Sequence, residues 1–313
     1  MRVRQKVYDT YWYFAAERQS IFFKKLSGQV RPYTTDPILD TYKFCNVYRA
    51  ADRVSQFLIK EVIYGFDTDP HDTLFRIFFF RLLNKIETWQ SLEREFGRVS
   101  LRQFNLALYS RFLADLKNRQ PIYGNAFILC ANKSFGFDAK HDNHLALLHR
   151  IFAAEKTANA FLGSRTLAEL FYALRDLPLI GDFMAYQLAI DFNYSSVINF
   201  SENDFTMAGP GALRGIKKCF EDTGGRTPEQ IIMYMVENQE KEFARLGLLF
   251  QPLWGRPLHA IDCQGLFCEV DKYCRQAFPE LVSNRTQIKA TYTPTNKNFV
   301  YFFPPKWGID ITC

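Results

Sequence analysis

The stretch TLAELFYALRDLPLIGDFMAYQLAIDFN, residues 166–193, decides the fold of this chain. Thr166 and Glu169 have the spacing of a capping box, so a helix is expected to begin at Leu167. Leu167, Leu170, Phe171 and Leu174 follow the i, i+3, i+4, i+7 rule for one apolar face. Pro178 ends that helix, because proline has no amide hydrogen and restricts the residue before it. Gly181 is expected to take the turn conformation that a Cβ resists. Ala185, Leu188, Ala189 and Phe192 then carry the apolar face of a second helix. By geometry alone this is an αα-hairpin. Its turn amides and second helix N-terminus face one side, an arrangement suited to a phosphate.

The loop that follows adds a chemical group. NFSENDFTMAGPG, residues 199–211, holds the isolated aspartate Asp204, then Gly209, Pro210 and Gly211 at the start of another helix. A hairpin of this type followed by such an aspartate resembles the helix-hairpin-helix DNA glycosylase superfamily. The resemblance implies hairpin amides that grip the DNA backbone and an aspartate, here Asp204, that serves a flipped-out nucleotide. Leu179 and Ile180 stand where that superfamily commonly has a Gly-Val pair. Asp182 and Phe183 follow Gly181 where its lyase members have a lysine, so no Schiff-base lyase step is expected.

A chain of 313 residues buries a large core as one domain or two lobes. With 48% hydrophobic and 16% aromatic residues it is a folded protein rather than a disordered one. Of its 31 Phe and 16 Tyr most must be core, leaving a few as surfaces for stacking bases. The net charge of +6 is compatible with a polyanionic partner. Seven cysteines, an odd number without repeated spacing, favour reduced thiols in a cytoplasmic compartment. Cys263, Cys268 and Cys274 have no fourth cysteine close by, so an iron–sulfur loop is not expected. His141, Asp142 and His144 fit no zinc template and read as solvated, so neither a metal nor a cofactor is expected. The amino terminus is basic but no apolar core follows it, which argues against a signal peptide, and charges break every apolar run that might span a bilayer. There is no G-x-x-x-x-G-K-[ST] phosphate loop.

The remaining elements read as helices. An aromatic helix runs from Tyr8 to Lys25 and closes on cations and Gly28. Arg31 to Leu39 is extended, and Tyr42 to Asp52 reads as a helix on which Arg49 and Asp52 pair at the surface. Asp69 and Pro70 open a helix expected to continue to Trp89. Ser100 and Gln103 form a capping box for a helix to Lys117 with Leu101, Phe104, Leu108 and Phe112 on one face. Thr227, Pro228 and Gln230 start another, and a last helix covers residues 262–277.

Several of these pieces form a second pattern: Glu17-Arg18 on the aromatic helix, the run from Arg31 through Asn46 and Arg49 to Asp52, Gly181 with Gln187 and Asp191, Asp204, and Cys268-Glu-x-x-Lys-Tyr273. Together they resemble the α-glutamyl/putrescinyl-thymine pyrophosphorylase family over nearly the whole chain. That family is related to the helical domain found with 5-hydroxymethyluracil DNA kinases of phages and lies within the helix-hairpin-helix glycosylase fold. The resemblance implies one of two chemistries. One attaches amines to an activated hydroxymethyl-pyrimidine in DNA. The other, in anti-phage defence, excises a hypermodified pyrimidine such as glucosylated hydroxymethylcytosine.

The expected fold is all-α and two-lobed, of the helix-hairpin-helix DNA glycosylase kind. Residues 67–196 should form a helical barrel ending in the hairpin, and residues 1–66 with 197–313 the second lobe of a single unit. The expected function is a monofunctional DNA glycosylase that flips out a bulky modified pyrimidine of phage DNA and leaves an abasic site. Asp204 is its catalytic carboxylate. The alternatives are an amine or amino-acid transferase of the pyrophosphorylase type and a non-catalytic DNA-binding module. Base-pocket candidates are Asn46, Arg49, Arg81, Asn84, Gln187, Glu269 and Lys272, and a buried Arg81 needs a partner. DNA-backbone candidates are Leu177, Leu179, Ile180, Gly181, Gly209, Gly211, Lys217 and Lys218. The expected partner is double-stranded DNA with modified pyrimidines, bound by a monomer, with no membrane involved.

Overall fold

Along the chain the structure, a computed structural model, describes residues 1–66, 69–126, 133–281, 284–293 and 300–311. It is mostly helical. The helices are α1 (Gln5–Leu26), α2 (Pro37–Thr41), α3 (Arg53–Phe57), α4 (Pro70–Leu83), α5 (Ile86–Phe96), α6 (Leu106–Arg119) and α7 (Lys140–Phe152). They continue with α8 (Lys156–Leu162), α9 (Leu167–Arg175), α10 (Asp182–Asn193), α11 (Pro210–Cys219), α12 (Pro228–Arg245) and α13 (Ala260–Ala277). Among the described residues the strands are β1 (Arg2–Val3) and β2 (Phe220–Asp222), paired antiparallel. No helix of the described residues is long and apolar enough to cross a membrane. The chain divides into two compact units. One comprises Met1–Asp52, Phe205–Tyr301 and Gly308–Cys313, the other Arg53–Asp204 and Phe302–Trp307.

The unit that carries the hairpin is built on α4. This helix is buried from Asp72 to Leu83, as expected of a helix enclosed by others, and Leu74, Phe75, Phe78, Phe79 and Phe80 are all in the core. Phe75 meets Phe104 and Phe152 with ring centroids 5.3 and 5.5 Å apart. The helix does not continue to Trp89. Asn84 adopts φ 48°, a left-handed conformation that Asn tolerates better than most residues, and α5 restarts at Ile86. The expected start at Ser100 is also displaced. Asp72 Oδ1 takes the amide of Leu101 at 2.6 Å, and α6 begins instead behind Asn105, whose side chain accepts from the Leu108 amide at 3.0 Å. Leu108 accordingly faces solvent rather than the core.

In the hairpin, Thr166 caps α9 by accepting from the Glu169 amide at 3.1 Å, and Leu167, Leu170, Phe171 and Leu174 are buried as their spacing demands. The turn differs from expectation. Gly181 is extended, with φ −94°, and a Cβ there would meet no neighbour; the left-handed residue is Leu179, with φ 69°. A non-glycine residue in that conformation costs roughly 1–2 kcal/mol, which the buried Ile180 and the flanking helices must offset. His141 and His144 are not solvated, because α7 turns both into the core. Tyr123 Oη lies 3.0 Å from His144 Nδ1, and burial, reinforced by Lys140 and His141, lowers the His144 pKa to about 3.

In the other unit α13 is the central helix, packed against α1, α11 and α12. Tyr11 packs on Phe267 with centroids 4.6 Å apart, and Phe14 on Phe44 and Tyr273 at 5.3 and 5.7 Å. α11 lies against α13 at a close approach made by Gly211 and Gly215, four residues apart on one face. A Cβ on Gly211 would overlap Cys268 Sγ, and one on Gly215 would overlap the backbone oxygen of Phe267. Cys219, Cys263 and Cys274 are buried free thiols. α12 opens with the full capping box of Thr227 and Gln230.

Candidate functional site

The segment from Tyr42 to Asp52 is not a helix. It is a loop closed by one 3-10 turn, Arg49–Ala51, and the reason lies in who holds its amides. Lys43 N donates to Ala290 O at 3.0 Å, Cys45 N to Glu269 Oε2 at 2.8 Å and Asn46 N to Asp52 Oδ1 at 2.8 Å. Side-chain carboxylates and a distant strand-like segment thus replace the i−4 carbonyls of a helix. Upstream, Asp36 fixes the extended segment, capping α2 and accepting the hydroxyls of Tyr13 on α1 and Tyr273 on α13 at 3.1 and 2.7 Å.

These bonds assemble a polar cluster between α1, this loop and α13. Glu269 pairs with Lys272 at 2.6 Å, and the Lys272 ammonium sits 4.5 Å from the centroid of Phe44. Asn46 donates through Nδ2 to Ala51 O at 2.7 Å and accepts from Arg18 Nη2 at 2.7 Å. Arg18 is only 8% exposed, and its Nη1 bonds no protein atom among the described residues. Two turns along α1, the Lys25 ammonium lies 4.1 Å from the ring centroid of Tyr292 and 5.4 Å from that of Tyr33. Arg49, also buried rather than at the surface, is tied to the start of α13 by its amide, which donates to Asp262 Oδ1 at 3.2 Å.

The titrations in this cluster are displaced. Burial, with repulsion from Arg18 and Arg31, lowers Lys25 to about 8. Burial raises Asp52 to about 6, against the pull of the Asn46 amide and Arg18. The carboxylates of Glu269 and Asp52, helped by burial, push the Cys45 thiol well above the usual thiol range, so it is no ready nucleophile. A donor without a partner, an amine and a carboxyl poised near neutrality, and three aromatic rings form a site equipped to hydrogen-bond and stack a polar heterocycle.

The Asp52 shift has a measurable consequence. An aspartate titrates near 3.9 in the unfolded chain, so between about pH 4 and pH 6 the folded state holds a proton the unfolded state has lost. Stability from this group is present below about pH 4 and is lost as pH rises to about 6. In urea unfolding at pH 4, 5, 6 and 7, wild type should lose at most about 2 kcal/mol relative to Asp52→Asn between pH 4 and 6, then run parallel to it. A constant difference from pH 4 to 7 would refute the shift.

Asp204 lies in an exposed turn at the end of the hairpin unit, its amide donating to Ser201 O at 3.3 Å. The loop that carries it is clasped by Asn193, fully buried at the end of α10. Asn193 Nδ2 donates to Phe200 O at 3.0 Å and Oδ1 accepts from Phe200 N at 2.8 Å. Arg81, Asn84 and Asp191 form a buried network of their own. Arg81 Nε and Nη2 bind the two Asp191 oxygens at 2.5 and 3.0 Å, and Nη1 binds Asn84 Oδ1 at 2.6 Å. Gln187 is buried on α10, one turn before Asp191.

Of the backbone candidates, Leu177 and Leu179 are half-buried, Ile180 is buried and Gly181 is exposed beside the Arg175–Asp182 ion pair, 2.8 Å long. Gly209 is the N-cap of α11, while Gly211 serves the packing against Cys268. Lys217 is exposed. Lys218 is buried, with Nζ 3.1 Å from Asp271 Oδ1. Sequence reasoning named Asn46, Glu269 and Lys272, which the structure brings together, but gave no role to Lys25, Asn193 or Tyr292. A legible signal for Arg18 and Lys25 was there: both interrupt the apolar stripe of Tyr11, Phe14 and Phe22 at helical spacing.

The family described as "5-hmdU DNA kinase, helical domain" matches residues 5–283, a range that includes the polar cluster around Arg18, Asn46 and Glu269 and also Asp204. The chain is 26% identical over 288 residues to the 5-hmdU DNA kinase of Bacillus phage SP10, an alignment covering 86% of this chain and 45% of the relative. The chain therefore spans about half the length of the curated relative it matches. No solved structure matches. With most of its length inside the match, the chain belongs to the family of the 5-hmdU DNA kinase helical domain.

Proposed function

We propose that this chain acts on a modified pyrimidine in DNA and cuts its N-glycosidic bond. The observation that carries the reading is the match, over residues 5–283, to the helical part of a protein named for 5-hmdU DNA. A base inside a duplex must leave the stack before chemistry reaches it, at a cost of a few kcal/mol. Taken by itself, the unit containing α1 offers Arg18 Nη1 as a donor for a base edge, with Asn46, Glu269 and Lys272 fixing its surroundings and Tyr33 and Tyr292 as stacking faces. Asp204 stabilises the positive sugar or activates water, both ordinary work for a carboxylate at such a centre. Arg81 and Asn84, spent on Asp191 and on each other, act here as structural groups. The protein works as a cytoplasmic monomer on phage-type DNA.

In a second reading the base is modified rather than removed, and Asp204 deprotonates an incoming amine. One experiment separates the two. The purified protein is incubated with duplexes carrying 5-hydroxymethyluracil, hydroxymethylcytosine, glucosylated hydroxymethylcytosine or ordinary bases, then treated with alkali. The expected result is strand breaks on one modified DNA, slowed at least about 100-fold by Asp204→Asn. A gain in base mass without breaks, seen only when an amine donor and an activated base are supplied, would replace excision by transfer. Intact, unaltered DNA throughout would overturn both.

A further inference from the structure

The C-terminal end of α11, Arg4 just before α1, and Glu280, Leu281 and Asn284 beyond α13 line an open groove of about 510 Å³, with Arg214, Lys217 and Lys218 contributed by α11. Behind it stands Asp271, fully buried, which pairs with Arg214 at 3.0 Å, Lys218 at 3.1 Å and Arg275 at 2.7 Å. One carboxylate thus serves three cations. Arg4 Nη1 donates to Lys217 O at 3.3 Å and to Lys218 O, and so answers a helix end worth about half a negative charge. Lys217 adds a further exposed charge, and Glu280 is the one acid in the lining. Four cations therefore line the groove against Glu280 and a helix end, with the Asp271–Arg275 pair behind them. The surplus is positive, and a concave wall focuses it.

We propose that this groove seats phosphoryl groups. Guanidinium forks and ammonium points together are the set that recognises phosphoryl oxygens, and the ordered Asp271 pairs hold Arg214 and Lys218 in place before a ligand arrives. The volume admits two linked phosphoryl groups, which fits both successive phosphates of a nucleic-acid backbone and a free pyrophosphate. Lys217 and Lys218 were expected to contact the DNA backbone; the cavity, Arg4, Arg214 and the buried Asp271 make this a built site. It rests on no assumption about the base.

The test uses two probes, pyrophosphate by calorimetry and an unmodified duplex by fluorescence anisotropy at 50–200 mM salt. Lys217→Glu is compared with Lys241→Glu, which makes the same charge change on an exposed position of α12. Lys217→Glu should weaken binding of at least one probe about tenfold at 50 mM salt, while Lys241→Glu changes it less than about twofold. If the duplex is affected, its salt slope should fall by about one to two. Duplex that displaces pyrophosphate identifies backbone phosphates as the ligand; pyrophosphate binding that duplex does not disturb identifies the free anion. Equal effects of the two variants, or no binding of either probe, overturns the seat. Neither probe carries a modified base, so failure here leaves base excision standing, and failure of excision leaves the seat standing.

Discussion

Asp191→Ala is expected to destabilise the protein by about 3–5 kcal/mol, a large share of the total stability of an ordinary domain. Arg81 on α4 and Asp191 on α10 both have side chains with no exposure to solvent. Their two parallel bonds, with the third from Arg81 to Asn84, hold a guanidinium that is fully buried. Arginine cannot escape by losing its proton, so removal of the carboxylate leaves a full charge in an apolar interior. Replacing both partners together, as Arg81→Met with Asp191→Leu, removes the stranded charge and should cost much less than the single change. Urea unfolding of the two variants beside wild type measures this. A single-variant loss below about 1 kcal/mol would mean that water reaches the pair. Because α10 is the second helix of the hairpin and ends at Asn193, the same ion pair that ties α10 to α4 supports the loop carrying Asp204. Stability and the proposed chemistry are linked there through Asn193 rather than through contact with substrate.

What was legible in the sequence was local. The start of α9 at Thr166, its apolar face and the capping box of α12 depend on residues within one or two turns of each other, and periodicity with caps reports them. The misread segments were decided by remote partners. Tyr42 to Asp52 has helical composition, but Glu269 on α13 captures the Cys45 amide, and no window of sequence contains both. The Ser100 capping box lost to Asp72 in the same way. At the hairpin the glycine drew attention while Leu179 took the left-handed turn, since the demand on φ comes from how α9 and α10 pack and not from which residue tolerates it best. The candidate site shows both behaviours. Asn46, Glu269 and Lys272 stood out in the pattern of the chain, whereas Tyr292 and Lys25 meet only because residues 291 and 292 run beside Thr41 and Tyr42.

The close approach of α11 and α13 yields the second large effect. Gly215→Ala is expected to destabilise the protein by about 3 kcal/mol, although alanine is the better helix former by about 1 kcal/mol. The obstacle decides the sign. A Cβ at residue 215 overlaps the backbone oxygen of Phe267, which no rotamer change can move, so the two helices must separate. At Gly211 the obstacle is the Cys268 side chain, which can swing away, and Gly211→Ala should cost only about 1 kcal/mol. Separation has a further cost at Gly215, because Arg214 and Lys218 on α11 must stay within reach of Asp271 on α13 for that buried carboxylate to remain compensated. Urea midpoints give the ordering directly: Gly215→Ala well below Gly211→Ala, and Gly211→Ala close to wild type. A Gly215→Ala protein as stable as wild type would mean that α11 rests further from α13, and the phosphoryl seat built on the Asp271 pairs would lose its framework with it.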